Sequence, residues 1–215
     1  MSDTPRLLGI DDALHIVQRL IDVSEARHVA FGEPIVLVGG SALAARSVRP
    51  FSENVDLWMP SFSDEVVHVV ESEARAQWGP LVKLDVTSTE NLWGNILVRD
   101  IALSPVVAHL TSSHGPIEVR ALSIEDLFLL KLAAGRAKDL QDLSLLLAFT
   151  NAQQLIARFR TLSAWHGDRH ALLGYADALV TWLVRDLGAD PGATTGLGLP
   201  AFIQVALEEA HVDPG

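Results

Sequence analysis

Residues 35–38 (IVLV) form a short unbroken apolar run that ends directly in Gly39-Gly40-Ser41. Four apolar residues without alternation are too short for a helix and fit a strand covered on both faces. The paired glycines demand a tight turn, and residues 41–47 (SALAARS) then read as the start of a helix with Ser41 near its first turn. A covered strand turning into a helix requires a layered α/β arrangement, because both faces of the sheet must be packed. Glycines also let the backbone approach a ligand closely, and amides at a helix start favour an anion, to which Ser41 adds a hydroxyl. Taken alone, plain turn chemistry explains these three residues better than a binding site does.

The rest of the chain extends this unit. Apolar positions 14, 16, 17, 20, 21 and 23 follow helical spacing across 11–28, with Asp11 and Asp12 placed at its start. Residues 55–59 (VDLWM), closed by Pro60, and 81–87 (LVKLDVT), which alternate, read as strands. A helix is expected over 62–77, opened by Ser61 or Ser63, and a short strand over 116–121. Residues 88–113 show no usable period. Ser123 with Asp126 three positions on is a helix-start signature for 124–134. Beyond it, helices are expected at 138–149, 151–164, 169–187 and 200–211, with 188–199 as the linker-like stretch. The expected fold is α/β (α+β): a small mixed sheet with flanking helices over residues 1–122, then a helical bundle over 123–215 packed on that core.

Composition narrows the function classes. A net charge of -11 argues against a broad basic surface of the kind that grips nucleic-acid phosphates. The absence of cysteine removes disulfides, thiolate catalysis and Cys-based zinc sites. The first twelve residues carry Asp3, Arg6, Asp11 and Asp12 and no apolar stretch of secretory type, and no run approaches the ~20 apolar residues of a membrane span. A cytoplasmic protein without membrane partners is the expectation. None of the eight histidines shows the H-x-x-x-H zinc pattern in a helical context, and neither a G-x-S-x-G elbow nor a GK[ST] phosphate loop is present.

Two acid-bearing segments carry the chemistry. In a strand, Asn54 and Asp56 at i and i+2 share a face, where their oxygens converge as ligands of a hard cation would. Asp85, between Leu84 and Val86, faces either solvent or a metal. Singly, each has an ordinary surface reading. Together they follow a fixed order: apolar strand, Gly-Gly-Ser, about a dozen residues, the 54–56 pair, then a later strand with another acid.

That order resembles the nucleotidyltransferase superfamily with the polymerase-beta-like fold. The stretches 38–43 (VGGSAL), Arg49 and 51–57 (FSENVDL), together with 123–143 (SIEDLFLLKLAAGRAKDLQDL), look more narrowly like bacterial AbiEii-type and DUF6036-type members, over roughly residues 35–147. The resemblance implies that Gly39, Gly40 and Ser41 bind the phosphates of an NTP. It implies that Asn54, Asp56 and Asp85 hold Mg2+ or Mn2+, and that Asp56, Asp85 and Lys131 are catalytic. Arg49, Lys131, Arg136, Lys138 and Asp142 are further implied nucleotide-binding positions. The implied reaction moves a nucleotidyl group to RNA (tRNA) or protein, in a toxin that has an antitoxin partner.

The residues qualify this in two places. Asn54 stands where the family pattern has Asp, and it offers a carbonyl oxygen without charge. A catalytically inactive relative that binds nucleotide or a protein partner is therefore the alternative, and Glu53 is set on the opposite face from Asp56 by strand alternation. Lys131 lies among Leu127, Leu130 and Ala134, so it needs an anion, either a carboxylate or a triphosphate. Arg136 and Lys138 reach phosphate or pair with Asp139 and Asp142, and Asp142 could orient Lys131 or Lys138. With Arg46, Arg49 and Lys83, these cations make a local basic path conceivable on an acidic chain. Trp58, two residues past Asp56, borders a base or, more simply, packs in the core.

Overall fold

The computed structural model describes residues 7–88, 101 and 104–163. The described residues form two compact units, one ending at Ser123 and one starting at Ile124.

The first unit opens with α1 (Ile10–Ala26), whose buried residues Ala13, Ile16, Val17, Leu20 and Ile21 repeat at helical spacing. Asp12 closes its first turn by accepting the Gly9 amide at 3.0 Å, and its other oxygen accepts the Trp78 indole N–H at 2.9 Å. Strand β1 (Ile35–Leu37) is buried throughout and leads into α2 (Gly39–Ala45). Strand β2 (Val55–Trp58), helix α3 (Asp64–Trp78) and strand β3 (Leu84–Thr87) follow. The hairpin of β4 (Val106–Ser112) and β5 (Gly115–Ala121) completes the unit.

These strands make one mixed five-stranded sheet in the order β3-β2-β1-β5-β4. Strand β1 is central, antiparallel to β2 and parallel to β5, and β3 runs parallel to β2. The mixed α/β fold expected from sequence is the one observed.

Three details differ from the sequence reading. Strand β3 begins at Leu84 rather than 81, because the Val82 amide is drawn back to the Gly79 carbonyl at 3.2 Å while Leu81 stays exposed. Strand β4 lies in the stretch that showed no period. As an edge strand it has no fully buried residue, so burial imposes no alternation on its sequence. Asn54 falls in a bend one residue ahead of β2, so strand alternation does not set its side-chain direction.

The second unit, as described, is helical: α4 (Ile124–Ala134), α5 (Ala137–Leu146) and α6 (Ala152–Ser163). Its buried apolar positions include Leu127, Phe128, Leu143, Leu146, Leu155 and Phe159. Gly135, at φ +62°, separates α4 from α5 in a conformation that glycine adopts without strain. The helices and linker-like stretch expected beyond residue 163 lie outside the described residues.

Candidate functional site

The Gly-Gly-Ser turn and Asp56 meet as one assembly in the first unit. The Val38 amide donates to the Asp56 carbonyl at 3.0 Å, bringing the end of β1 alongside β2. The Gly40 amide donates to Asp56 Oδ2 at 2.7 Å. The Asp56 amide donates to Ser41 Oγ at 2.9 Å, and that hydroxyl donates onward to the Asn54 carbonyl at 3.2 Å. Ser41 is fully buried. In this structure, then, Ser41 and the Gly40 amide hold the segment that carries Asp56.

Both glycines are required by crowding. At Gly39, with φ +48°, a Cβ would sit 2.7 Å from Asp56 Oδ2. At Gly40 it would meet Arg49 Nη2 at 2.7 Å, Asp56 Oδ2 at 3.2 Å and the Ser52 hydroxyl. The carboxylate and the guanidinium thus converge on one point of bare backbone. Sequence reasoning missed Ser52, which is buried and tied to Leu8 by two backbone bonds of 2.8 Å. Nothing in the local pattern of 50–53 signals it, because the pairing reaches back to the start of the chain.

Asp85 joins the assembly through sheet register. Asp56 and Asp85 are direct partners across the parallel β2–β3 pair, so their side chains leave the same face of the sheet. Asp56 is half-buried and Asp85 exposed. Among the described residues, no group of three or more acids and histidines could hold a metal ion. The Asp56–Asp85 pair matches the way Mg2+ is commonly held, by one or two carboxylates together with substrate phosphates. Trp58 is buried, in keeping with a core role, and its indole N–H has no hydrogen-bond partner among the described residues. A cavity of about 870 Å³ lined by His28, Phe31, Glu33, Ser113 and His114 includes none of the site residues expected from sequence.

The second implied constellation lies in the second unit. Lys131 is buried, and its Nζ lies 3.1 Å from Asp139 Oδ1 and 2.6 Å from Asp142 Oδ2. Asp139, with no exposed surface, also accepts from the Arg136 guanidinium at 2.5 Å. Burial alone would raise the Asp139 carboxyl pKa, but hydrogen bonds from Arg136 and Lys131 and their positive charges hold it below the usual carboxylate range. Of the two anions open to Lys131, the structure supplies carboxylates. Lys138 is exposed. Asp126 is clamped by Arg158 at 2.5 Å and 3.1 Å, joining α4 to α6.

The structure keeps, in order, the elements on which the sequence resembles nucleotidyltransferases: a covered strand, the Gly-Gly-Ser turn and a register-matched pair of acids. The family described as "Nucleotidyl transferase AbiEii toxin, Type IV TA system" matches residues 63–191, and the chain belongs to it. The matched stretch takes in Asp85 and the Lys131–Asp142 cluster and begins beyond Asp56. No curated protein and no solved structure matches the chain. Among the described residues, no helix is long and apolar enough to cross a membrane.

Proposed function

We propose that the chain transfers a nucleotidyl group from an NTP to RNA or protein, as the toxin of a toxin–antitoxin pair. The observation that carries this is the pairing of Asp56 with Asp85 across β2 and β3, with Gly40 and Arg49 packed against Asp56. Asp56 and Asp85 would hold a Mg2+ or Mn2+ ion jointly with the nucleotide phosphates. When bound, the ion offsets phosphate charge and makes the leaving pyrophosphate more stable. The bare backbone at Gly39 and Gly40 lets Asp56 lie directly on the turn, and Ser41 fixes the height of β2 relative to it. Arg49 supplies a permanent cation with bidentate phosphate geometry. Lys131, fixed between Asp139 and Asp142, holds α5 to α4.

The acceptor and the antitoxin are part of this reading, and one assay addresses transfer directly. The purified chain is incubated with Mg2+ or Mn2+, each α-labelled NTP, and a mixture of cellular RNA and protein. Label should move into one band with the native sequence and be lost with Asp56→Ala. Asn54 favours a second reading, a relative that binds nucleotide without transferring it. Nucleotide binding with no label transfer, in the native chain and in Asn54→Asp alike, would establish that reading instead.

A further inference from the structure

We propose that the two buried serines of the site divide its work: Ser41 is a positioning residue for Asp56, and Ser52 supplies the hydroxyl that meets the nucleotide phosphates. The proposal rests on the nucleotidyl-transfer reading of Asp56 and Asp85.

A serine hydroxyl has one proton to give and lone pairs with which to accept. Ser41 uses both. Its Oγ accepts the Asp56 amide at 2.9 Å and gives its proton to the Asn54 carbonyl at 3.2 Å, and the residue is fully buried. Those two partners lie on either side of Val55, so one hydroxyl pins the backbone from Asn54 to Asp56 against the turn. Donating to a phosphate would break the bond to Asn54 and loosen the segment that carries Asp56. The Gly40 amide reaches the Asp56 carboxylate from the same turn, at 2.7 Å. Ser41 therefore acts on the reaction through Asp56.

Ser52 is set differently. Its amide and its carbonyl both pair with Leu8 at 2.8 Å, which fixes its backbone independently of the turn. Its Oγ accepts the Asn54 amide at 3.4 Å, so its proton is directed away from Asn54. That oxygen lies against the bare backbone of Gly40. A Cβ there would meet it first, ahead of Arg49 Nη2 at 2.7 Å and Asp56 Oδ2 at 3.2 Å. A hydroxyl, a guanidinium and a carboxylate thus surround one point of the turn. The set divides by charge: the carboxylate suits a cation, and the hydroxyl and guanidinium suit phosphate oxygens.

The test separates phosphate from metal on the full-length chain and does not rely on turnover. Binding of α,β-methylene analogues of the four NTPs, which cannot transfer a nucleotidyl group, is measured by calorimetry in EDTA and again with Mn2+. Ser52→Ala should weaken analogue binding by about tenfold in both conditions, as expected for loss of a hydrogen bond to a charged group. Ser52→Thr, which keeps the hydroxyl, should recover it. Ser41→Ala should bind the analogue in EDTA as the native chain does and lose about tenfold or more only with Mn2+, because its effect passes through a metal-holding carboxylate. A Ser41→Ala chain that weakens in EDTA as Ser52→Ala does would overturn the proposal while leaving the nucleotide site intact. So would unchanged affinity in a Ser52→Ala chain that melts like the native one. Native binding that appears only with Mn2+ would overturn it too, since the phosphates would then be held through the cation alone. If no analogue binds in either condition, the nucleotidyl-transfer reading fails and this proposal falls with it. If an alanine variant does not fold, Ser52→Cys or Ser41→Cys, which keeps the shape with a weak donor, is measured in its place.

Discussion

Asp56 in the first unit and Asp139 in the second are both carboxylates set against arginine in crowded surroundings, yet they are held in different ways. Asp56 is fixed by backbone: the Gly40 amide reaches its Oδ2, and its own amide reaches Ser41. It stays half-buried on a sheet face that it shares with exposed Asp85. Asp139 has no exposed surface and is held by the side chains of Lys131 and Arg136, in a cluster that Asp142 completes. Asp56 thus keeps part of its surface toward solvent, whereas Asp139 is enclosed by an ammonium and a guanidinium that lock two helices together.

The largest effect that would test this contrast is on stability. Asp139→Ala should destabilise the second unit by about 3–5 kcal/mol, because Lys131 is left buried beside a single remaining acid. Replacing Lys131, Asp139 and Asp142 together with apolar residues of similar volume should restore most of that stability, as judged by urea unfolding. A triple variant as unstable as Asp139→Ala would mean that the cluster does more than balance its own charges.

Asp56→Ala should show the opposite profile. Transfer activity should drop by more than about a hundredfold, while the urea midpoint shifts less than for Asp139→Ala, because Asp56 is only half-buried and its bond from the Gly40 amide is worth about 1 kcal/mol. A large loss of stability would make Asp56 structural and erase the distinction.

A matched pair of glycine substitutions sharpens it. Gly39→Ala and Gly135→Ala both place a Cβ at positive φ, at +48° and +62°. At Gly135 the added Cβ meets nothing nearer than a carbonyl at 3.9 Å, so only the backbone penalty of about 1 kcal/mol applies. At Gly39 it strikes Asp56 at 2.7 Å, so the cost should rise to about 2–3 kcal/mol and transfer should fall as well. Equal effects at the two positions would show that Asp56 moves aside at little cost.

The smallest effect is on pH dependence. The Asp139 pKa is lowered by folding, so its ion pairs contribute stability above the ordinary carboxylate pKa and lose it as pH falls below about 4. Hydrogen-exchange protection of α5 should hold down to that range and then decline. Protection that fades between about pH 6 and 5 would contradict the lowered value.

Much of this is legible in the amino-acid sequence. Strand β1, the Gly-Gly-Ser turn and β2 followed from the apolar run and the glycines, because burial on both faces leaves a continuous hydrophobic signature. Strand β4 was not, because an edge strand such as Val106–Ser112 has little burial to shape its sequence. At the site, the residue types were readable but their partners were not. Ser41 reads as a ligand donor from its position, yet its hydroxyl is engaged by Asp56 and Asn54. Ser52 reaches the site through its bridge to Leu8, a contact made forty-four residues away in the chain. Lys131 is recognisable in the sequence as a buried cation in need of an anion, and Asp139 and Asp142 both lie beside it.

The fastening around Asp56 has a further consequence for how the chain assembles. Its hydrogen bonds join residues only sixteen, fifteen and thirteen positions apart, whereas the pairing of β1 with β5 joins Ile35 to Val119. Short loops close with less entropy loss, and local contacts form ahead of distant ones. The segment that carries Asp56 is therefore within reach of a chain still emerging from synthesis, while the strand that completes the centre of its sheet has yet to be made.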